Sequence, residues 1–404
     1  MSLNEPSLES YGRRVRNWAE DNLASKKSSE DPPGDREVLR RMFEGGFSGI
    51  AVPKAYGGAG LTLEHQRVWA QETKDYWTPQ SNPYRVTLGM LMPTLLEHAS
   101  EEVKRRHIPR MLRGDELWIQ LLSEPSGGSD LAGCLTRATA EGDRWILNGS
   151  KMWSSHAMSA DFGLCLARSD WDAPKHHGLT MFAMSLKAEG VSITPILLAN
   201  GGHTESCLEF LDNVVVEPAY VVGEPGQGWT VARTLLLHER EAVAGIGFGM
   251  GLGGDMPGGE HLFSPVDLLS VLAERESGDP VLQNLVARDY VEETVLHQLS
   301  QRLNTGMRSG AIRGQWGSLH KLGAGMNAPA YAERALAAAG CDGVIWSGDG
   351  QGVDSIGARW LVSRIMSIGG GTNEMQRNII AERLLGLPRE PDDREQPFRG
   401  SRGS

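Results

Sequence analysis

The spacing of apolar residues changes twice along this 404-residue chain, and these changes constrain the fold more than any single motif. Apolar residues recur at helical intervals in residues 1–115 and again in residues 225–404, whereas residues 116–224 contain short runs of β-branched and aromatic side chains. The predicted organisation is an N-terminal helical domain, a central β domain and a C-terminal helical bundle. Because helices and strands are segregated rather than alternating, the class is α+β rather than a sheet built from βαβ units.

Two local features extend this prediction. Glu141, Gly142 and Asp143 separate two runs of alternating polarity, which predicts a β-hairpin in the central region. The tail at residues 388–404 is rich in proline and charge and is predicted to be mobile.

Charge and cysteine content argue against several classes of function. The chain has 51 acidic and 40 basic residues, without the basic stripe that binding to a nucleic-acid backbone requires. No apolar run approaches the roughly 20 residues that span a bilayer, and the N-terminus lacks the pattern of a signal peptide. The four cysteines are widely separated, as is typical of reduced thiols, and leave no cluster for a metal. The sequence therefore predicts a cytoplasmic protein that binds neither nucleic acid, membrane nor metal.

A polar, glycine-rich bend follows a predicted strand in LWIQLLSEPSGGSDLAG, residues 117–133. The residues that can present backbone groups or hydroxyls to a neighbouring molecule are Gln120, Leu122, Ser123, Gly128 and Ser129. Such a bend suits a flat ligand that forms hydrogen bonds along its edge. Ser-Glu-Pro is also an ordinary turn sequence, so this segment by itself leaves both interpretations open.

A second element of the central region, LNGSKMWSSHAMSADF, carries Trp153 and Ser155 at the end of a predicted strand. An indole can cover one face of an aromatic ring while a hydroxyl meets the edge of that ring. A tryptophan at a strand end is more often part of a hydrophobic core, and this alternative also stays open.

Three consecutive glycines occur in SIGGGTNEMQRN, residues 367–378. Gly369, Gly370 and Gly371 permit close approach of the backbone to a ligand, and Thr372 is a good N-cap for the helix that follows. The free N–H groups at such a helix start can bind an anion or the edge of a ring.

These stretches, in this order, resemble the acyl-CoA dehydrogenase family, whose members use FAD to form a trans-2,3 double bond in acyl thioesters. The resemblance covers most of the chain, because it includes GFSGIAVPKAYGGAGLT at residues 46–62, GEPGQGWTVARTLLLHER at residues 223–240 and GGGTNEMQRNIIAERLLGLPR at residues 369–389. It implies the three-domain fold given above and a homo-oligomer, a dimer or tetramer, in which neighbouring subunits complete each FAD site. It also implies an acyl-CoA substrate, a role in fatty acid metabolism and electron transfer to an electron-transferring flavoprotein.

The resemblance assigns roles to individual residues. The family's FAD-binding positions correspond here to Gln120, Leu122, Ser123, Gly128, Ser129, Trp153, Ser155, Thr372 and Glu374. Of these, Trp153 would cover the flavin ring and Ser155 would lie beside flavin N5. Thr372 and Glu374 would hold FAD near its pyrophosphate and ribose, and Ser129 would also border the thioester.

Desaturation needs a carboxylate that removes the α-proton while the β-hydride leaves for flavin N5 on the other face. In many family members a glutamate directly precedes the Gly-Thr of the glycine motif, but that position is Gly370 here. A second branch, which includes isovaleryl- and long-chain-type enzymes, carries the glutamate on a C-terminal helix immediately before an arginine. This chain has Glu239 and Arg240 in LLLHERE, so the resemblance implies that Glu239 is the base and that Ser129, Arg240 and Gly370 border the substrate.

Alternatives to this assignment stay open. Glu239 can also be a solvated helix glutamate that pairs with Arg240 or with a residue one turn away. His238 is predicted to be structural, because nothing beside it in the sequence supplies a partner for a dyad. Two adenosine-binding elements of the family, Arg-x-x-Phe-Gly and Gln-x-x-Gly-Gly-x-Gly-Tyr, are absent from the sequence. The other functions considered are therefore a flavin oxidase or monooxygenase on the same fold and a non-catalytic subunit of a mixed assembly.

Overall fold

The computed structural model describes residues 6–27, 34–79, 81–199, 203–243, 278–309, 311–312, 315–345, 356–391 and 396–399. The chain forms two compact units. The first comprises Met1–Ile196, Thr204–Pro257 and Asp392–Ser404, and the second comprises Leu197–His203 and Gly258–Pro391. No helix within these described ranges is long and apolar enough to cross a membrane. The domain boundaries near residues 115 and 225 stay predictions.

Helices form the N-terminal part of the first unit. Their bounds are α1 Leu8–Asn22, α2 Asp35–Glu44, α3 Leu63–Glu72, α4 Asn82–Val86, α5 Met92–His98 and α6 Glu101–Leu112. The hydroxyls of Ser7 and Ser100 accept backbone N–H bonds at the starts of α1 and α6, which fixes where these helices begin. Helices α1, α2 and α3 bury their apolar faces around Trp69, whose ring stacks on Phe47 at a centroid distance of 5.0 Å.

An eight-stranded sheet forms the centre of the first unit. Its strands are β1 Trp118–Leu121, β2 Arg137–Glu141, β3 Arg144–Ser155, β4 Phe162–Arg168, β5 Leu179–Ser185, β6 Val191–Leu197, β7 His203–Val216 and β8 Val221–Val222. The strand order is β6-β7-β3-β2-β4-β5-β8, and β1 pairs with β4 in parallel. Glu141 and Arg144 pair at the end of the β2–β3 hairpin, with Gly142 at φ +64° in the turn, so the predicted hairpin is confirmed.

Strands β4 and β5 are buried on both faces, which explains their nearly continuous apolar sequences. On one face, Met181 belongs to a core that also contains Val231 of helix α7, Gly228–Val243. On the other face, Phe182 belongs to a second core between the strands. Gly228 approaches β5 so closely that a Cβ atom there would lie 2.7 Å from its backbone. The start of α7 is therefore held against the sheet.

The described part of the second unit consists mainly of helices. They are α8 Pro280–Arg308, α9 Gly317–Ala339, α10 Ile356–Val362 and α11 Asn373–Ile379. Val286 of α8 and Ala335 of α9 lie in its core. The Arg334 guanidinium links the same two helices, since it contacts Asp289 and lies 2.6 Å from Glu292. Helices thus precede and follow the strands along the chain, and the predicted α+β class is confirmed.

The C-terminal tail differs from its prediction. Residues 396–399 belong to the first unit, and Phe398 is only 3% exposed. The expectation of a mobile tail is therefore wrong for these residues. Composition reports the average character of a segment, whereas one aromatic side chain with a buried partner is enough to hold it in place.

Candidate active site

The bend that follows β1 lies beside the end of β3. Gln120 lies in β1, and Leu122 and Ser123 follow that strand directly. The backbone N–H of Met152 donates to the carbonyl of Ser123 at 2.9 Å, so the bend is hydrogen-bonded to the residue before Trp153. The structure therefore brings together two elements that are separate in the sequence, residues 117–133 and residues 147–162.

The residues of the bend differ in exposure along its length. Leu122 is buried, Gln120 and Ser123 are half-buried, and Gly128 and Ser129 are exposed. Leu122 belongs to the core that contains α7, so its side chain anchors the bend in the first unit. The exposed glycine and serine can then present their polar groups to a ligand.

A buried ion pair fastens the bend to β3, and it was not identified from the sequence. The Nζ atom of Lys151 lies 2.9 Å from Oε1 of Glu124 and donates to the carbonyl of Leu122 at 3.1 Å. The Glu124 carboxylate also accepts the backbone N–H groups of Leu135 and Thr136, at 2.7 and 2.8 Å. Burial by itself raises the pKa of Glu124, but Lys151 and the hydrogen bond from Thr136 outweigh burial and lower that pKa to about 2. Glu124 is therefore ionised at neutral pH.

Trp153 adopts a backbone conformation that is rare for a large side chain. Its φ angle of +70° lies in the left-handed region, and such a conformation costs a residue other than glycine roughly 1–3 kcal/mol. It arises at a β-bulge, because Met152 pairs with Leu208 and Ser154 pairs with Cys207, so that the register skips Trp153. The indole is 53% exposed. An exposed indole on a strained backbone favours the ring-covering role over a place in the core.

Glu209 contacts this bulge from the neighbouring strand β7 and was also missed from the sequence. Its side chain is fully buried, and its Oε2 atom accepts a hydrogen bond from the Ser154 hydroxyl at 3.0 Å. The other oxygen, Oε1, is buried and has no hydrogen-bond partner within the described part of the chain. Burial raises the pKa of this carboxyl to about 7. Glu209, a carboxyl that titrates near neutral pH, is therefore hydrogen-bonded to Ser154, which lies between Trp153 and Ser155.

Glu209 is expected to make the stability of the protein depend on pH. Its raised pKa means that the folded state favours the protonated carboxyl, whereas an unfolded glutamate has a pKa of about 4.3. Protonated Glu209 therefore contributes to the free energy of unfolding fully below about pH 4, and this contribution is lost as the pH rises through the folded pKa of about 7. Glu209→Gln removes this titration and should flatten the dependence of the unfolding free energy on pH over roughly pH 4–7.

Urea unfolding at a series of pH values measures this effect. Glu217→Gln, which changes an exposed carboxyl just beyond the same strand, is the control and should keep the wild-type dependence. The prediction is contradicted if Glu209→Gln and the wild type show the same slope of unfolding free energy against pH.

The first unit contains groups that fit a flavin ring. Oε1 of Gln120 is buried, and the described residues give it no hydrogen-bond partner, so an acceptor is present for an N–H group of a bound ring. Trp153 offers an exposed aromatic face, and Ser155 is half-buried two residues further on. This set fits FAD, because its isoalloxazine ring is flat and carries both donors and acceptors at its edge.

Helix α7 carries Glu239 near its C-terminal end, where this residue is half-buried. The helix is fastened to α5 by two side-chain contacts. His238 Nε2 lies 2.8 Å from Oε1 of Glu97, and His98 Nε2 lies 2.8 Å from the Thr234 hydroxyl. His238, predicted to be structural, therefore helps to attach α7 to α5 through Glu97. Glu97 lies 141 residues earlier in the chain, where inspection of neighbouring positions does not reach it.

The second unit holds the glycine motif and α11. Gly370 has a φ angle of +67°, which glycine adopts without the strain that a side chain causes. The Thr372 hydroxyl accepts the backbone N–H of Met375 at 3.2 Å, which confirms the predicted N-cap. Glu374 is exposed, and its carboxylate lies 3.4 Å from the Arg377 guanidinium.

The helices, the sheet and the flavin-compatible residues are those expected of a flavin-dependent oxidoreductase. The sequence matches the three domains of one family: the acyl-CoA dehydrogenase N-terminal domain at residues 6–115, the middle domain at residues 120–214 and the C-terminal domain at residues 269–385. The chain belongs to the acyl-CoA dehydrogenase family, which is FAD-dependent.

Individual relatives support this membership over nearly the whole chain. The acyl-CoA dehydrogenase IpdE1 of Mycobacterium tuberculosis is 32% identical over 405 residues, which cover 95% of this chain and 98% of the relative. The solved structure of the Tcur3481-Tcur3483 steroid ACAD is similar with a TM-score of 0.70 at 26% identity, covering 96% of this chain and 100% of that chain. The ChsE4-ChsE5 complex from Mycobacterium tuberculosis is similar with a TM-score of 0.67 at 27% identity, covering 96% and 100%.

The comparisons confirm the family, the fold, the enzyme class and the FAD cofactor that the sequence resemblance implied. The roles of individual site residues stay predictions. Among them, the side chain of Arg240 lies outside the described residues.

Proposed function

We propose that this dehydrogenase forms a trans-2,3 double bond in an acyl-CoA thioester, with Glu239 as the base. The observation that carries the proposal is the placement of Glu239 on α7. This helix shares a core with the sheet and is fastened to α5, in the same unit that contains Gln120, Ser129 and Trp153. The left-handed backbone at Gly370 supports the same assignment, because it disfavours a side chain at the alternative position for the base.

Each group of residues has a distinct task in this reaction. The Glu239 carboxylate removes the proton from the acyl α-carbon. Bound FAD supplies the acceptor for the two electrons that leave with the β-hydrogen. Gln120 and Trp153 hold the edge and the face of the flavin ring, and Ser129 borders the thioester. Thr372 is assigned the role of holding FAD near its pyrophosphate and ribose.

The partners proposed for this enzyme follow from the same reaction. Reduced FAD must be reoxidised, and we assign that step to an electron-transferring flavoprotein. A homo-oligomer, either a dimer or a tetramer, is the proposed assembly. The mass of the purified protein in solution, measured by light scattering, tests this assignment.

Anaerobic titration of the FAD-loaded protein with a panel of acyl-CoA thioesters tests the function. The panel contains straight, branched and ring-bearing acyl groups, the last because one similar structure is a steroid ACAD. We expect one class to bleach the visible absorbance of the flavin. The reduced flavin should then persist in air until an electron-transferring flavoprotein is added, whereas rapid reoxidation by air would indicate an oxidase or monooxygenase.

A second candidate is a non-catalytic subunit of a mixed assembly. It is favoured by the similarity to the ChsE4-ChsE5 complex, which contains two differently named chains. If the purified protein carries no flavin colour after incubation with FAD and removal of the unbound cofactor, this candidate is supported and a catalytic role for the chain alone is contradicted.

A further inference from the structure

A short segment near the C-terminus, residues 396–399, forms what we call the C-terminal strap. Its backbone pairs with the connection between β4 and β5. Phe398 N–H donates to the carbonyl of Ala173 at 3.1 Å, and Arg399 N–H donates to the carbonyl of Trp171 at 3.1 Å. Pro397 and Pro174 form an antiparallel bridge between the same two segments. The strap is therefore held by backbone hydrogen bonds as well as by side chains.

Phe398 covers a buried arginine. Its ring is 3% exposed, and the guanidinium carbon of Arg168 lies 3.5 Å from the ring centroid. The Trp171 ring lies 5.7 Å from that of Phe398. Arg168 itself is fully buried at the end of β4. A cation over an aromatic face in a water-free setting is a strong form of this contact, so Phe398 keeps water from the guanidinium and holds its plane.

Arg168 extends this contact to the bend that carries Ser129. Its guanidinium donates to the carbonyls of Ala132 and Cys134, at 2.6 and 3.1 Å. It also donates to the carbonyl of Lys175 at 3.2 Å, and Lys175 Nζ in turn lies 2.6 Å from a carboxylate oxygen of Asp130. Asp130 directly follows Ser129. Arg168 is therefore connected to the exposed end of the bend in two ways: directly through the carbonyls of Ala132 and Cys134, and through Lys175, which pairs with Asp130.

The exposed end of the bend, residues 128–130, is packed less tightly than its beginning. Gly128, Ser129 and Asp130 are all exposed, in contrast to Leu122 and the buried Glu124 on its other side. An exposed loop with few buried apolar contacts opens easily, so the fixed residues on either side of it limit its motion. Arg168 supplies such a fixed flank through the carbonyls that follow the loop.

We propose that Phe398 is a positioning residue: through Arg168, the C-terminal strap holds residues 128–130 in the conformation that binds FAD and the thioester. The assignment of the bend rests on the proposed function, but the mechanical coupling from Phe398 to Ser129 does not. The tail of this chain thereby sets the affinity for cofactor and substrate without touching either.

The test compares Phe398→Ala with Phe398→Tyr, which keeps the ring, and with Arg399→Ala, which removes only an exposed ion pair to Asp172. Hydrogen exchange of the full-length protein without FAD measures the coupling directly. We expect Phe398→Ala to accelerate amide exchange at residues 128–136 about tenfold, with Phe398→Tyr and Arg399→Ala close to the wild type. Unchanged exchange there in Phe398→Ala overturns the proposal.

The same variants are then compared in the FAD-loaded state. Phe398→Ala should raise the dissociation constant of FAD and the KM for acyl-CoA about tenfold while kcat changes less than threefold, as a rough expectation for a lost positioning contact. An equal loss in Phe398→Ala and Arg399→Ala overturns the proposal. If the alanine variant does not fold, Phe398→Leu, which keeps apolar cover without the ring, should show an intermediate effect. If the wild type binds FAD but no acyl-CoA reduces the bound flavin, the proposed function is refuted. The hydrogen-exchange and FAD-binding measurements then still test whether Phe398 positions the bend.

Discussion

Glu239→Gln is expected to abolish reduction of bound FAD by acyl-CoA while leaving FAD bound. Glutamine has nearly the shape of glutamate, so the packing of α7 on the sheet is retained, but its amide cannot accept the α-proton. Loss of a general base lowers the rate on the order of 100-fold or more. Stopped-flow measurement of flavin bleaching under anaerobic conditions gives this rate, and equilibrium titration gives the FAD affinity.

Glu97→Gln is the matched control for this experiment. It removes a carboxylate that contacts His238, the residue next to Glu239, so it perturbs the attachment of α7 without changing the proposed base. We expect less than about a tenfold loss of rate, as for one altered hydrogen bond. Glu239→Gln that is still reduced at the wild-type rate would remove Glu239 from the mechanism and leave the oxidoreductase without an assigned base.

Lys151→Met is expected to destabilise the folded protein more than any other single change considered. It leaves the Glu124 carboxylate buried opposite an apolar side chain, and breaking a buried pair in this way costs about 3–5 kcal/mol. Because Lys151 also donates to the carbonyl of Leu122, the bend loses one of its hydrogen bonds to β3 but keeps that from Met152 N–H to the Ser123 carbonyl. The expected result is a marked fall in the urea midpoint of unfolding together with weaker FAD binding.

Two further variants separate this effect from a general loss of charge. Lys187→Met breaks an exposed pair with Asp161, for which the expected cost is about 0–1 kcal/mol. Combining Lys151→Met with Glu124→Gln removes both charges and should recover part of the lost stability, since no unpaired charge remains. If Lys151→Met and Lys187→Met have the same unfolding midpoint, the buried pair does not stabilise the fold as proposed.

The sequence predicted what depends on local pattern. The segregation of helical and alternating periodicity predicted the α+β class, and the residues at Glu141, Gly142 and Asp143 predicted the β2–β3 hairpin. The N-cap at Thr372 was likewise predictable, because its hydroxyl bonds a backbone group only three residues away. Such features arise from physics that acts within a few residues.

What the sequence did not predict depends on partners far along the chain. Lys151 and Glu124 are 27 residues apart, and each alone resembles a solvated surface charge. His238 has its partner 141 residues away, and Phe398 lies in a segment whose composition is typical of a mobile tail. A charged residue at an inward position of an alternating strand, as at Lys151, was the available signal for burial, but it identifies no partner.

The left-handed backbone at Gly370 has a consequence for how enzymes of this kind can be redesigned. A side chain in this conformation costs roughly 1–2 kcal/mol, so a glutamate at position 370 either carries this strain, as Trp153 does at φ +70°, or requires the loop to change its path. Under the proposed assignment, two features therefore bear on the location of the base: the carboxylate of Glu239 and the main-chain geometry at Gly370. Moving the carboxylate from position 239 to position 370 therefore has a backbone cost in addition to the change of sequence.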